Sequence, residues 1–268
     1  MSTPSDRPLA VVTGASSGIG LELAKQFAAN GFDLIIAAED AAIQDAALEL
    51  EPLGASVEAV RADLATDRGV DELHGRIQAA GRPVAAVALN AGIGAGGAFA
   101  TDTDLEQELR LIDLNVRSTV HLAKHVLRDM VARDEGRLLF TSSIASTMPG
   151  SFQAVYNGSK SFVQSFALAL RDELKDTNVT VTSLMPGPTE TEFFERAHMQ
   201  DTRVGQSDKK DDPADVARDG FEAMMAGEER VVSASLSTKL QGRGSRLMPD
   251  KVKSAMHRRM AEPESPKS

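Results

Sequence analysis

Leu9-Ala10-Val11-Val12-Thr13-Gly14-Ala15-Ser16-Ser17-Gly18-Ile19-Gly20 sets a short apolar run against a glycine-rich turn and the start of a helix. Leu9–Thr13 has the length and apolarity of a buried strand. Residues 19–30 follow with Leu23, Ala24 and Phe27 on one helical face, and Gly31 stands ready as a C-cap. Glycines permit a tight turn and let the backbone approach a pyrophosphate. The new helix turns its free N–H groups and positive dipole end toward the same place. Gly14, Ser16, Ser17, Gly18, Ile19 and Gly20 are therefore expected to bind the phosphates of a dinucleotide.

Beyond the turn, strand and helix signals alternate, the mark of a parallel sheet wrapped by helices. The strands are expected at 34–38, Val57–Arg61, Val84–Leu89, 137–141, 179–184 and 230–234, and helices at 105–132, 157–175 and Pro213–Met225. Residues 190–212 are polar around Phe193, Phe194 and Met199, and read as a mobile loop that closes on a partly apolar substrate. With no repeat and no second apolar core, the expected fold is α/β: one doubly wound parallel sheet of about seven strands in a single domain. Its catalytic body spans 1–235, and a basic extension covers 236–268.

Composition narrows the function. The 268 residues contain no cysteine, which excludes disulfides, thiolate nucleophiles and thiolate metal sites. A net charge of −10 argues against general nucleic-acid binding. The longest apolar run, Val84–Leu89, is far too short to span a bilayer. The first residues lack the apolar centre of a signal peptide, so a cytoplasmic location is expected.

The carboxyl edge of such a sheet is where ligands bind. Glu39 or Asp40, at the end of the second strand, is expected to accept hydrogen bonds from the ribose hydroxyls of NAD and to repel the 2′-phosphate of NADP. No Lys or Arg occurs at 13–20 or 34–45 to receive that phosphate, so NAD is the expected cofactor. Asp63, with Leu64, closes the third strand within reach of an adenine amino group. Asn90-Ala91-Gly92 follows the fourth strand, where small residues admit the cofactor.

The chain has one tyrosine, Tyr156, four residues before Lys160 and thirteen after Ser143. A phenol has a reference pKa of about 10, and an ammonium one helical turn away can lower it by stabilising the phenolate. The Ser143 hydroxyl can hydrogen-bond a substrate carbonyl oxygen. Ser142, at the wrong spacing, reads as structural.

Taken together, the T-G-x-x-x-G-x-G turn, Asn90-Ala91-Gly92, Asn115, Ser143, Tyr156, Lys160, and Pro186-Gly187 with Thr189 and Thr191 resemble the compact branch of the short-chain dehydrogenase/reductase family. That resemblance implies a Rossmann-type sheet and an oxidoreductase that interconverts a secondary alcohol and a ketone. It makes Tyr156 the acid or base and places Lys160 on the nicotinamide ribose. Asn115 would hold a water that passes protons to Lys160, and Pro186, Gly187, Thr189 and Thr191 would cover the nicotinamide. It also implies a homo-oligomer. The pair Glu39-Asp40 departs from the family's usual residues there. An NADP-dependent carbonyl or 3-oxoacyl reductase is accordingly the first alternative, and a non-catalytic dinucleotide redox sensor the second.

Two features stand apart. His121 and His125 have the i, i+4 spacing of some zinc sites, but no Glu or third His is placed to join them. They read as a solvated or subunit-contacting helix face, and no metal is expected. From Lys239 onward eight basic residues face three acids, and Val252, Ala255, Met256 and Met260 share a helical face. This reads as an exposed terminal helix, with a membrane-surface or partner helix as the alternative.

Overall fold

The computed structural model describes residues 7–233 and 249–263. Seven parallel strands form one sheet in the order β3-β2-β1-β4-β5-β6-β7. They are β1 (Leu9–Thr13), β2 (Asp33–Ala38), β3 (Val57–Arg61), β4 (Val84–Leu89), β5 (Gly136–Thr141), β6 (Val179–Pro186) and β7 (Arg230–Ser233). Every residue of β1 and β2 is buried, because helices cover both faces. Alternation then divides the strands between two cores. Leu9 and Val11 face one side with Val87, Leu122 and Phe140, while Ala10 and Val12 face the other with Leu23, Phe27 and Phe221.

The helices are α1 (Gly18–Ala29), α2 (Ile43–Leu50), α3 (Asp67–Ala79), α4 (Leu105–Ile112), α5 (Ser118–Arg133), α6 (Ala154–Glu173), α7 (Phe193–Arg196), α8 (Pro213–Met225) and α9 (Asp250–Ala261). Phe27 of α1 meets Phe32 and, from α8, Phe221 edge-to-face at 5.2 and 5.1 Å. No helix among the described residues is long and apolar enough to cross a membrane.

The helix expected at 105–132 is divided. A π-turn, Asp113–Arg117, separates α4 from α5. The extra residue per turn breaks the backbone ladder, and hydroxyls satisfy the freed carbonyls. Ser118 donates to the Leu114 carbonyl at 2.5 Å and Thr119 to the Asn115 carbonyl at 2.9 Å. β6 runs two residues past its expected end because β7 pairs with Met185 and Pro186. The last residue expected in β7, Ala234, and the stretches 236–248 and 264–268 of the basic extension lie outside the described residues.

The strand order reverses between β1 and β4, which pair directly with a register shift after Leu9, while β2 flanks β1 on its other side. Outgoing chains diverge at the carboxyl ends of these two strands. The cavity opens there, as expected for a doubly wound sheet.

Candidate active site

The glycine turn lines one end of the cavity, where the sequence expects the phosphates. Gly14 and Gly18 hold φ of 66° and 55°, which L residues rarely adopt. A Cβ on Gly20 would lie 2.0 Å from the Gly14 carbonyl oxygen, so only glycine lets α1 start so close to β1. No side chain caps α1, and its first turn carries no acid. Its N–H groups are thus left for an anion. This uncapped, glycine-lined cradle fits a dinucleotide.

Thr13 and Asn90 lock the strand ends around it. The Thr13 hydroxyl accepts from the backbone N–H of Asn90 and of Ala91, both at 3.0 Å. The Asn90 amide donates to the Thr13 carbonyl at 3.1 Å and accepts from the Thr141 hydroxyl at 3.0 Å. The Asn90 side chain is thereby spent on joining β1, β4 and β5, and its backbone with Ala91 and Gly92 lines the cavity.

The adenosine end departs from the sequence expectation. The sequence holds no cation in either segment near Glu39, yet α4 delivers one. Arg110 pairs with Glu39 and donates to Asp63 at 3.1 and 3.2 Å. Both carboxylates expected to read the adenosine are joined through one guanidinium, whose pKa is raised chiefly by the Asp63 hydrogen bond. Asp40 turns inward and accepts from Ser16 at 2.9 Å, with Arg196 of α7 at 4.0 Å. Leu64 lines the cavity beside Asp63.

The chemical end gathers Ser143, Tyr156 and Lys160 in the same cavity, about 300 Å³ in volume. Tyr156 and Lys160 project from one side of α6, and Ser143 starts the 3₁₀ turn after β5. The Ser143 hydroxyl accepts the Ala145 N–H at 3.1 Å and also hydrogen-bonds the Tyr156 phenol. Lys160 is buried, with Nζ 2.9 Å from the Thr141 carbonyl and 6.0 Å from the Tyr156 ring centre. Ser142, read as structural, donates to the Lys160 carbonyl at 3.0 Å and ties α6 to β5.

Here the expected pKa shift is reversed. Tyr156 opens onto the cavity rather than onto bulk solvent, and that enclosure pushes its pKa up to about 12 against the opposing pull of the Ser143 hydrogen bond. Burial pushes Lys160 down to about 8. Desolvation is the leading cause of both shifts, and neither group draws an offsetting pull from the other.

Asn115 sits at the centre of the π-turn. Its amide accepts from Ile93 N–H and donates to the Ile93 carbonyl, both at 2.9 Å, and donates to Ser159 at 3.0 Å. A Cβ on Gly92 would meet Asn115 Oδ1 at 3.1 Å and Lys160 Nζ at 3.2 Å, so these two groups converge beside Gly92. The π-turn is what turns Asn115 inward.

In the 190–212 segment only α7 is helical, and turns and bends make up most of the rest. α7 and its neighbours bury Phe194, Ala197 and Met199, joined by Ala261 of α9. Gly94 and Gly96 receive it, for Cβ atoms there would strike Phe193 at 2.5 Å and Met199 at 2.4 Å. Phe193 faces the site, its ring centre 5.2 Å from that of Tyr156. Phe194 packs in the buried cluster behind it and also reaches the cavity. Thr191 crosses the cavity to the glycine turn, its Cγ2 2.9 Å from where a Gly18 Cβ would stand. Pro186, Gly187 and Thr189 line the same wall.

α9, read from sequence as an exposed terminal helix, joins the site on one face. His257 hydrogen-bonds the Ser151 carbonyl at 2.9 Å, the Met260 carbonyl accepts from Val204, and both helix residues line the cavity. Val252 and Met256 on the other side remain exposed. Gln153, Ile144 and Met148 also line the substrate end. None of these was legible in the sequence, except that Gly92–Gly97 is unusually rich in glycine.

Comparison with known proteins supports the fold and the family. The family model described as short chain dehydrogenase matches residues 8–202. An uncharacterised short-chain type dehydrogenase/reductase from Sinorhizobium fredii is 35% identical over 189 residues, covering 70% of this chain and 73% of the relative. An NADP-dependent 3-hydroxy acid dehydrogenase from Salmonella typhi is 31% identical over 179 residues, 67% of this chain and 71% of that one. Among solved structures, a short-chain dehydrogenase/reductase from Burkholderia phymatum in complex with NAD superposes with a TM-score of 0.80 at 24% identity, covering all of both chains. One from Sphingobium yanoikuyae in complex with NADPH gives 0.79 at 24% identity, over 96% of this chain and 98% of that one. Sequence and sheet converge, and the chain belongs to the short-chain dehydrogenase family of oxidoreductases.

Proposed function

We propose that this enzyme interconverts a secondary alcohol and a ketone by hydride transfer, with Tyr156 as the proton-transferring group and NAD as the preferred cofactor. The observation that carries the reading is the meeting of Ser143, Tyr156 and Lys160 in the cavity that also holds the glycine cradle. The bound nicotinamide supplies or accepts the hydride. With a pKa of about 12, Tyr156 is a phenol throughout the working pH range and is the acid for carbonyl reduction. Ser143 orients the carbonyl oxygen and steadies its developing charge. Working as a base near pH 7 asks for about 7 kcal/mol of phenolate stabilisation, at about 1.4 per unit. The Lys160 ammonium contributes to that stabilisation and the positive charge of the oxidised nicotinamide adds to it. Asn115, converging with Lys160 beside Gly92, is placed to hold a water at its ammonium. Pro186, Gly187, Thr189 and Thr191 are assigned to the nicotinamide side.

Tyr156→Phe tests this. Turnover should fall by about three orders of magnitude while cofactor affinity stays within about twofold, since the ring keeps its packing. Turnover that survives would remove Tyr156 from the chemistry, and biological activity that survives without turnover would favour a redox sensor.

NAD preference rests on Glu39 at the end of β2. The NADP-dependent alternative is favoured by Arg110, which lies on that carboxylate and could receive a 2′-phosphate. A side-by-side titration with NADH and NADPH decides between them. A homo-oligomer completes the proposal. Leu105, Leu109 and Ile112 on α4 and Phe162 on α6 are all exposed, more apolar surface than a lone subunit needs to show. Light scattering that gives a single-chain mass would overturn it.

A further inference from the structure

The sequence offers His121 and His125 on one helix face without a third ligand. The fold supplies it. Asp71 of α3 comes alongside, and one ligand atom from each of the three residues lies within 4.8 Å of the others. We propose that Asp71, His121 and His125 form a surface site for a zinc-class divalent ion that ties α3 to α5.

The distances suit that ion. Four ligands around zinc at about 2.0–2.1 Å stand about 3.4 Å apart along each tetrahedral edge. His121 Nε2 lies 3.4 Å from Asp71 Oδ1, already at that edge. His125 Nε2 lies 4.0 Å from the same oxygen, and all three ligand atoms lie within 4.8 Å of one another, so side-chain rotation has to close the remaining edges onto the ion. A ligating nitrogen must have its lone pair free. His125 Nε2 is buried without a hydrogen-bond partner, an unusual state for a polar atom and one that coordination would relieve.

The surroundings orient both rings. His121 Nδ1 faces Asp67 at 3.7 Å, and Asp67 is itself paired with Arg117. A carboxylate behind the distal nitrogen is the usual way a ligating imidazole is held with its other nitrogen toward the metal. The His74 ring stacks on His125 at 4.1 Å and 17°, fixing its plane. The Asp71 side chain is 63% exposed, so an ion can enter without unfolding, and a fourth position is open to water. The ligands come from two helices on the flank of the sheet, and none lines the catalytic cavity.

Titration of the purified full chain with zinc chloride, followed by calorimetry, tests the proposal. One equivalent should bind in the micromolar range or tighter. His121→Gln and His125→Gln should each weaken it about 100-fold, and Asp71→Asn about tenfold, because each removes one inner ligand. Circular dichroism of the metal-free variants should match the wild type, since all three side chains are solvent-accessible. His198→Gln, an exposed histidine elsewhere, should bind like the wild type. Cobalt(II) in place of zinc should give an intense visible band of tetrahedral coordination that disappears in His125→Gln. No binding at millimolar zinc, equal binding by the His121→Gln/His125→Gln double variant, or loss of binding in His198→Gln would overturn the site.

Discussion

Replacing Lys160 with methionine removes a charge while keeping an unbranched chain of similar length. Lys160 Nζ stands 6.0 Å from the Tyr156 ring centre. Taking about 6 Å between the ammonium and the phenolate oxygen and an effective dielectric constant of about 20, two unit charges attract by about 2.8 kcal/mol. This equals about two pK units of phenolate stabilisation, or about 100-fold in a rate that develops phenolate in its transition state. Lys160 in the free enzyme titrates at about 8, so the charge is present below that pH and lost above it. The sign follows directly. Wild-type kcat/KM for carbonyl reduction, which reports the free enzyme, should be level below pH 8 and descend above it. Lys160→Met should be about 100-fold lower below pH 8 and should lack the descending limb altogether. Initial rates between pH 6 and 10, with cofactor affinity measured separately, supply the comparison. The substitution also leaves the Thr141 carbonyl without its donor, at a cost of about 1–3 kcal/mol, so a thermal melt accompanies the kinetics. A variant profile with the wild-type shape, lowered only through weaker cofactor binding, would refute the electrostatic argument and leave Lys160 as a ribose contact.

Three further substitutions probe the ends of the cavity. Arg110→Met strips the counter-charge from Glu39 and Asp63, and NADPH affinity should fall about tenfold while NADH affinity changes less than threefold, from about 1–2 kcal/mol of screened attraction. An equal loss for both cofactors would show Arg110 to be a general brace. Phe193→Ala opens the wall beside Tyr156 and should raise KM for an apolar ketone about tenfold with little change in melting temperature. Phe194→Ala, which hollows the buried side of the same segment, should instead lower stability by about 3 kcal/mol, and the reverse pattern would exchange their roles.

The sequence by itself determined the architecture and brought Ser143, Tyr156 and Lys160 together as the proposed catalytic group. Buried parallel strands must be apolar throughout, so Leu9–Thr13 and Val84–Leu89 are legible as runs, and the turn between β1 and α1 needs glycine because a Cβ at Gly20 would strike the Gly14 carbonyl. Tyr156 and Lys160 share a helix side because four residues make about one turn, a local relation that survives any tertiary arrangement. Tertiary structure decided what depends on elements distant in the chain. Arg110 reaches Glu39 across 71 positions, and no reading of the segments around Glu39 could reveal that cation. The π-turn at Asn115 answers to Ile93, a loop partner 22 residues away, rather than to helix propensity. The pKa values of Tyr156 and Lys160 moved opposite to the pairwise expectation because spacing reports which charges are neighbours, whereas burial is a property of the whole fold. His121 and His125 were visible as a pair, and only the packing of α3 on α5 brought Asp71 to them, since side chains from two helices become neighbours through the surface they bury together.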